Sequence, residues 1–322
     1  MIRTLKMLAL IGSALFGLNA AAQTYPERPI RLILQFAAGG GSDAVARPLA
    51  PEMEKYLGQS IIVENKPGAN GVIANQEVAN NPADGHTLLL AAAGPMTAAP
   101  HLYDLRIDPM EAFVPVALAV KTPYAIVVHQ SVKVDSLQEL LDMARERPAQ
   151  VSYGTSGVGG APHLAGEMLS SATGVKFLHV AYKGMGPAMT AVLSGEVDFA
   201  FADLAYAVPQ LETGRIKALA VTGETRSTAL PDVPTVQELG VADYHSGTWY
   251  GIFARRGTPA HAIQKINEAV NKAMEGELKT RFQQQGMEPA SGMSAEEFAA
   301  FVESDYKRIG AVIREAGIKI QQ

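Results

Sequence analysis

Two glycine-rich turns carry the residue types best suited to holding a charged guest: Phe36-Ala37-Ala38-Gly39-Gly40-Gly41-Ser42-Asp43 and Tyr153-Gly154-Thr155-Ser156-Gly157-Val158-Gly159-Gly160. Each follows an apolar run and precedes a helix-like segment. Glycine lets the backbone turn sharply and approach a bound group, and a helix start presents free N–H donors with a partial positive charge. Each turn is therefore a candidate anion cradle. In the first, Ala38, Gly39, Gly40, Gly41 and Ser42 are the candidates: the Gly40 and Gly41 amides would face the ligand, and Ser42 or Asp43 would cap the helix. In the second, Thr155 and Ser156 offer hydroxyls and Gly157 an amide, while Pro162 suits the first turn of the next helix. A bulky side chain at Gly40 is expected to abolish binding.

In an open parallel sheet, ligands gather at the carboxyl ends of strands, which nominates further loops. Gly94 and Thr97 follow one apolar run, and Asp203 ends another, with Tyr206 close behind it. Asp203 could cap a short helix or accept from a ligand hydroxyl or ammonium. His163 is a secondary candidate, a packed histidine being its plainer reading. Lys183 is the cation nearest a cleft loop, and residues 65–71 read as a turn that shapes the cleft mouth. Two competing chemistries share these turns. Gly39, Gly41 and Ala44 satisfy a dinucleotide fingerprint, with Glu64 near the place of a ribose-binding acid. Residues 154–158 approach a nucleophile elbow but put Val158 where the closing glycine belongs.

The elements that must position these loops alternate short apolar runs with amphipathic segments, the pattern of sheets covered by helices on both faces. Strands are expected over 30–36, 61–64, 87–91, 114–120, 125–129, 151–153, 197–201, 218–221 and 248–253. The first helix runs from about Asp43 to Leu57 and stops at Gly58. Ser136 with Glu139, Thr235 with Glu238, and Ser294 with Glu297 have capping-box spacing and mark three helix starts. The last sixty or so residues read as amphipathic helices, with Ile263, Ile266 and Val270 on one stripe and Phe298, Phe301, Val302, Tyr306, Ile309 and Ile313 on another. Two sheet-forming stretches separated near 121–124 imply two lobes, with connections at 121–124 and 245–249 as the hinge.

At the N-terminus, Arg3 and Lys6 precede an apolar stretch and then Ala20-Ala21-Ala22, the three parts of a secretory signal cleaved after Ala22. Cleavage takes the net charge from −5 to −7. A mildly acidic chain without a basic stripe argues against nucleic acid and membrane surfaces as partners. The absence of cysteine excludes disulfides and thiolate chemistry. The seven histidines are scattered, without metal-ligand spacing. No catalytic residue, metal or cofactor is assigned, and a monomer is expected.

The motifs Tyr25-Pro26-x-Arg28-Pro29-Ile30, Phe36-x-x-Gly39-Gly40-x-x-Asp43-x-x-Ala46-Arg47, Val63-Glu64-Asn65-Lys66-Pro67-Gly68-Ala69-x-Gly71, Tyr153-Gly154-x-Ser156-Gly157 with His163-Leu164-Ala165, and Tyr182-Lys183-Gly184 occur in that order. Together they resemble the periplasmic solute receptors of tripartite tricarboxylate transporters, the Bug receptors, over essentially the whole mature chain. A proline often present after the first phenylalanine is replaced here by Ala37 and Ala38. The resemblance implies an α/β, two-lobed periplasmic binding protein of type II-like form, each lobe a mainly parallel sheet flanked by helices, closing about a hinge. It implies lobes of 23–122 with 246–322 and of 123–245, and delivery of a small carboxylate to membrane permease subunits. The carboxylate would be gripped by main-chain and hydroxyl donors, partly through ordered water: residues 38–42 from one lobe, Thr155, Ser156 and Gly157 from the other, and Asp203 at the distal end. An exported enzyme in the same cleft, dinucleotide-dependent or hydrolytic, and a receptor read by a sensor protein are the alternatives.

Overall fold

A computed structural model describes residues 25–242, 244–315 and 317–318; the expected export segment, residues 1–22, lies outside them. In chain order the main elements are β1 (Ile30–Leu34), α1 (Gly41–Leu57), β2 (Ile61–Asn65), α2 (Val72–Asn80), β3 (Thr87–Ala92), β4 (Phe113–His129), α3 (Leu137–Glu146), β5 (Ser152–Thr155), α4 (Ala161–Thr173), β6 (Leu178–Ala181), α5 (Met185–Ser194), β7 (Phe199–Asp203), α6 (Leu204–Leu211), β8 (Ile216–Val221), β9 (Gly247–Arg255), α7 (Ala260–Ala273), α8 (Glu277–Gln284), β10 (Glu288–Pro289) and α9 (Ala295–Glu315).

The strands follow the order β2-β1-β3-β9-β4-β7-β5-β6, with β8 and β10 also pairing with β4. Pairing is parallel in β2-β1-β3 and in β7-β5-β6, and antiparallel wherever β4 or β9 takes part. Each half is therefore a mixed sheet, parallel only in its outer three strands, rather than a mainly parallel one. Strand β3 is buried along its whole length because helices cover both of its faces, which is why it reads as an unbroken apolar run. Leu32, Leu49, Ile252, Ile266 and Phe282 share one core of the first half, and Ile126, Leu140, Phe199 and Phe201 share one core of the second.

The two expected strands 114–120 and 125–129 are one strand, β4, that runs through both halves. Residues up to Pro123 pair with β9, and from Tyr124 onward the partners are β7 and β8. Pro123 lacks an N–H, and it sits where pairing passes from one sheet to the other, so the strand tolerates it. Thr222 fastens the two crossing segments together: its hydroxyl accepts from the Tyr124 N–H at 2.8 Å and donates to the Ser246 carbonyl at 2.6 Å.

Local signals hold at most helix ends. Gly58 closes α1 in a left-handed conformation (φ 71°), and Ser136 caps α3 by accepting from the Glu139 N–H. Thr235 and Glu238 make both capping-box hydrogen bonds, yet residues 235–240 form a turn, because only one turn follows before Gly240. Among the described residues no helix is long and apolar enough to cross a membrane.

Candidate functional site

Four helix starts meet in one narrow slot between the halves. Helix α1 begins after Gly40, α4 after Gly160, α5 after Gly184 and α6 after Asp203, and no side chain caps any of them. The residues at all four starts line the slot, together with Phe36, Ala92, Tyr124, Ser156, Thr248 and Tyr250. An uncapped start leaves backbone donors without partners and carries a partial positive charge. Placing four together, one from the first half and three from the second, makes a cradle for an anion without any cationic side chain.

The slot is small, about 40 Å³, which is room for a few water molecules or one carboxylate group. It opens through Phe36, Ala37, Ser156, Gly184 and Pro187 into a vestibule of about 1030 Å³. The vestibule wall includes Pro67, Gly68, Ala69, Asn70 and Gly71, so the loop read as a cleft rim does stand at the mouth.

The halves touch across this site. The Tyr250 hydroxyl, from β9, donates to Asp203 Oδ2 at 2.7 Å, and the Tyr103 hydroxyl donates to the Val158 carbonyl at 2.5 Å. A methyl placed on Gly41 would lie 2.2 Å from Asp203 Oδ2 and 2.3 Å from the Tyr250 hydroxyl; one on Gly94 would lie 3.1 Å from the Ala161 nitrogen. Glycine at 41 and 94 is thus a condition for the halves to approach. At Gly40 the same methyl would meet only the Ala37 carbonyl, at 3.8 Å, so the sterically demanding position in this turn is Gly41.

Asp203 is fully enclosed. Burial pushes its carboxyl up to about 6, offset only partly by the hydrogen bond from Tyr250. Burial, the nearby Asp203 charge and its hydrogen bond push the Tyr250 phenol well above its usual range; burial does the same to Tyr124, with Asp203 adding to it. Ser42 Oγ is buried beside them with no hydrogen-bond partner. An unpartnered hydroxyl in such a place is a donor left over for a guest.

Of the residues nominated from sequence, Ala38, Gly40, Gly41, Ser42, Gly94, Ser156 and Asp203 line the slot, and Gly157 lines the vestibule. Gly39 does not: with φ 85° it makes the turn, and its N–H donates to Asp43 Oδ2 at 2.6 Å. Neither Ser42 nor Asp43 caps α1, and Asp203 does not cap α6, its carboxylate being taken by Tyr250. Thr155 points away from the slot, with Oγ1 2.6 Å from His179 Nε2. His163 is a packing residue: its ring stacks on His179 with centroids 3.9 Å apart, and Nδ1 accepts from the Gly159 N–H. Burial lowers its pKa to about 4, and His179 falls to about 3 through burial and the neighbouring ring. Tyr206 packs on the apolar cluster that includes Ala202, Leu204 and Ala207.

Thr97 faces the far side of the crossing strands. Its hydroxyl donates to Asp305 Oδ2 at 2.8 Å, where the Trp249 Nε1–H also donates at 2.9 Å, and Arg308 bonds Oδ1 at 2.6 Å. Asp305→Ala should therefore lower stability by about 3 kcal/mol, since it strands two buried donors. Urea unfolding monitored by Trp249 fluorescence measures this loss; stability unchanged within about 0.5 kcal/mol would show the network to be slack.

Several lining groups had no sequence nomination. Gly184-Met185-Gly186-Pro187 carried a readable signal, a glycine before an apolar segment with proline in the first turn. Tyr124 and Tyr250 carried none, because an aromatic in a buried strand reads as core. Glu64, the acid that a dinucleotide would require, is committed to Arg31, whose Nε lies 2.7 Å from Glu64 Oε1. Among the described residues no cluster of acids and histidines could hold a metal ion.

The family model described as tripartite tricarboxylate transporter family receptor matches residues 45–318. Among solved structures, the periplasmic binding protein BugD is 34% identical with a TM-score of 0.87, over 92% of this chain and all of the other. A Rhodopseudomonas palustris protein solved with adipate is 33% identical with a TM-score of 0.88, over 92% of this chain and 99% of the other. MatC of the same species, solved with bound malate, is 32% identical with a TM-score of 0.85, over 90% and 100%. The fold is that of the two-lobed periplasmic binding proteins, with the sheet arrangement described above. With the family model covering most of its length, this chain belongs to the tripartite tricarboxylate transporter receptors, a family of solute-binding proteins.

Proposed function

We propose that this protein is an exported receptor that captures a small carboxylate between its lobes and hands it to the membrane subunits of a tripartite transporter. The observation that carries the reading is the convergence of four uncapped helix starts, from both halves, on a slot of carboxylate size. The adipate and malate seen in two relatives support the same ligand class. In this reading the lobes are residues 23–122 with 246–322 and residues 123–245, and they open and close about the crossings at 121–124 and 245–249. A carboxylate that bonds donors of both halves binds the closed form better than the open one, and that difference drives closure. The first-half contacts are the amides and side chain of Gly40, Gly41 and Ser42. Those of the second are Ser156 and the backbone at Ala161 and Met185, with Asp203 at the inner wall.

A thermal-shift screen against mono-, di- and tricarboxylates, amino acids and aromatic acids tests the reading, with calorimetry on the hits. Stabilisation by carboxylates is expected, and stabilisation only by NAD, FAD or uncharged compounds would overturn it. Ser156→Ala should weaken the best carboxylate by about 1.5 to 3 kcal/mol, the value of a hydrogen bond to a charged acceptor. An unchanged affinity would remove Ser156 from the site.

A further inference from the structure

We propose that the vestibule is a second compartment for the guest, and that Arg106 and Lys183, facing it from opposite lobes, select an elongated dicarboxylate with an apolar spacer. The inference rests on the receptor reading above. The slot is narrow, with room for about one carboxylate group, and it opens into the vestibule, which can take the remainder of a longer guest. The vestibule walls are largely apolar, with Phe36, Pro67, Tyr103, Leu105, Tyr182 and Pro187 among them, and such walls favour methylene or ring carbons over hydroxyls.

Two cations stand at this compartment, Arg106 on the first half and Lys183 on the second. Both are exposed, and among the described residues neither takes part in an ion pair. Asp104 is the one acid on the same wall. A second carboxylate brought there by a spacer meets positive charge from both lobes, and closure then strengthens the contact. The loop opposite adds an independent sign of a built surface. Gly68, Ala69, Asn70 and Gly71 all have positive φ, and both polar side-chain atoms of Asn70 are buried without partners. Left-handed conformations at two successive non-glycine residues persist only where the surroundings enforce them, and they concentrate at ligand clamps.

Calorimetry with straight-chain α,ω-dicarboxylates of three to eight carbons, with malate, and with hexanoate as the one-ended control, tests the assignment. Affinity is expected to rise with length and to peak at six carbons or more, with succinate, malate and hexanoate each at least about tenfold weaker. The double variant Arg106→Gln, Lys183→Gln should bring the six-carbon diacid down to the level of hexanoate and leave hexanoate itself unchanged. Both side chains are exposed, so a preserved Tm verifies that the variant folds. If carboxylates bind but malate and succinate match the longer acids, or if the variant keeps the diacid-to-hexanoate ratio, the vestibule assignment falls and the receptor reading stands. If no carboxylate binds the wild-type protein, both fall.

Discussion

Gly41→Val is expected to eliminate carboxylate binding, by at least about a hundredfold, in a protein that still folds. The added side chain would occupy the space of Asp203 Oδ2 and the Tyr250 hydroxyl, at 2.2 and 2.3 Å from its first carbon. Carbon atoms do not approach oxygen so closely, so the pair that bridges the halves must separate. Opening the cleft removes the clash with Asp203, which belongs to the other half, while the Tyr250 hydroxyl, on the same half as Gly41, must turn aside within its own lobe. The variant is therefore held open and the second set of donors never reaches the guest. Its unfolding midpoint should fall by only a few degrees as the Tyr250 ring gives way, since α1 begins at Gly41 with an ordinary backbone conformation that valine can adopt. Small-angle scattering in the presence of ligand should show compaction for the wild type and none for the variant. Normal affinity in Gly41→Val would mean that the glycine turn is only a connection. The neighbouring Gly40 is the weaker probe, because space is open around it.

Asp203→Asn should tighten binding of a simple monocarboxylate at pH 8 by about tenfold or more and remove its pH dependence. Asp203 is the one resident carboxylate of the slot, and it competes with the guest for the same positive helix starts. From β9 it is faced by Tyr250, from β4 by Tyr124, and from the start of α1 by Gly41 and Ser42, none of which is a cation. With its pKa pushed up to about 6, Asp203 is protonated at pH 5 and ionised at pH 8. An anion beside it raises that pKa further, so binding above pH 6 requires proton uptake, and affinity falls by up to about tenfold per pH unit. The same shift acts on folding. Below pH 4 both folded and unfolded chains carry the proton; between pH 4 and 6 only the folded chain does, and stability declines as pH rises. Above pH 6 the loss is complete, and the asparagine variant should recover it. Calorimetry in buffers of different ionisation enthalpy counts the protons: near one for the wild type at pH 7 to 8, and none for the variant. Equal uptake in both would assign the titration elsewhere.

The parts of this site that could be read from the amino-acid sequence are those with local causes. A glycine cluster between an apolar run and a helix is a local signal, so both turns that reach the slot were legible, as was the closure of α1 at Gly58. The loop at 65–71 could likewise be placed at the cleft mouth. What could not be read depends on partners distant in the chain. Thr155 looks like a donor until His179, on the next strand, takes its hydroxyl. Thr97 looks the same until Asp305 arrives from the last helix. The second turn reaches the slot through Ser156, but the helix start that lines it is further on, at Gly160 and Ala161, because the chain makes one more turn before α4 starts. Residues 121–124 read as a break between two strands, yet Pro123 marks the handover of one long strand between two sheets. Tyr124 and Tyr250 are indistinguishable from core residues by pattern, since their role comes from where two sheets meet.

The most direct test of the account is a crystal structure of the protein with a bound carboxylate at pH 6. The account predicts one carboxylate group in the slot, with its oxygens within about 3.2 Å of donors from both halves. The Gly41 or Ser42 amide would supply the first contact, and Ser156 or the start of α4 or α5 the second. A carboxylate held by one half alone, or by the vestibule with the slot empty, would contradict it.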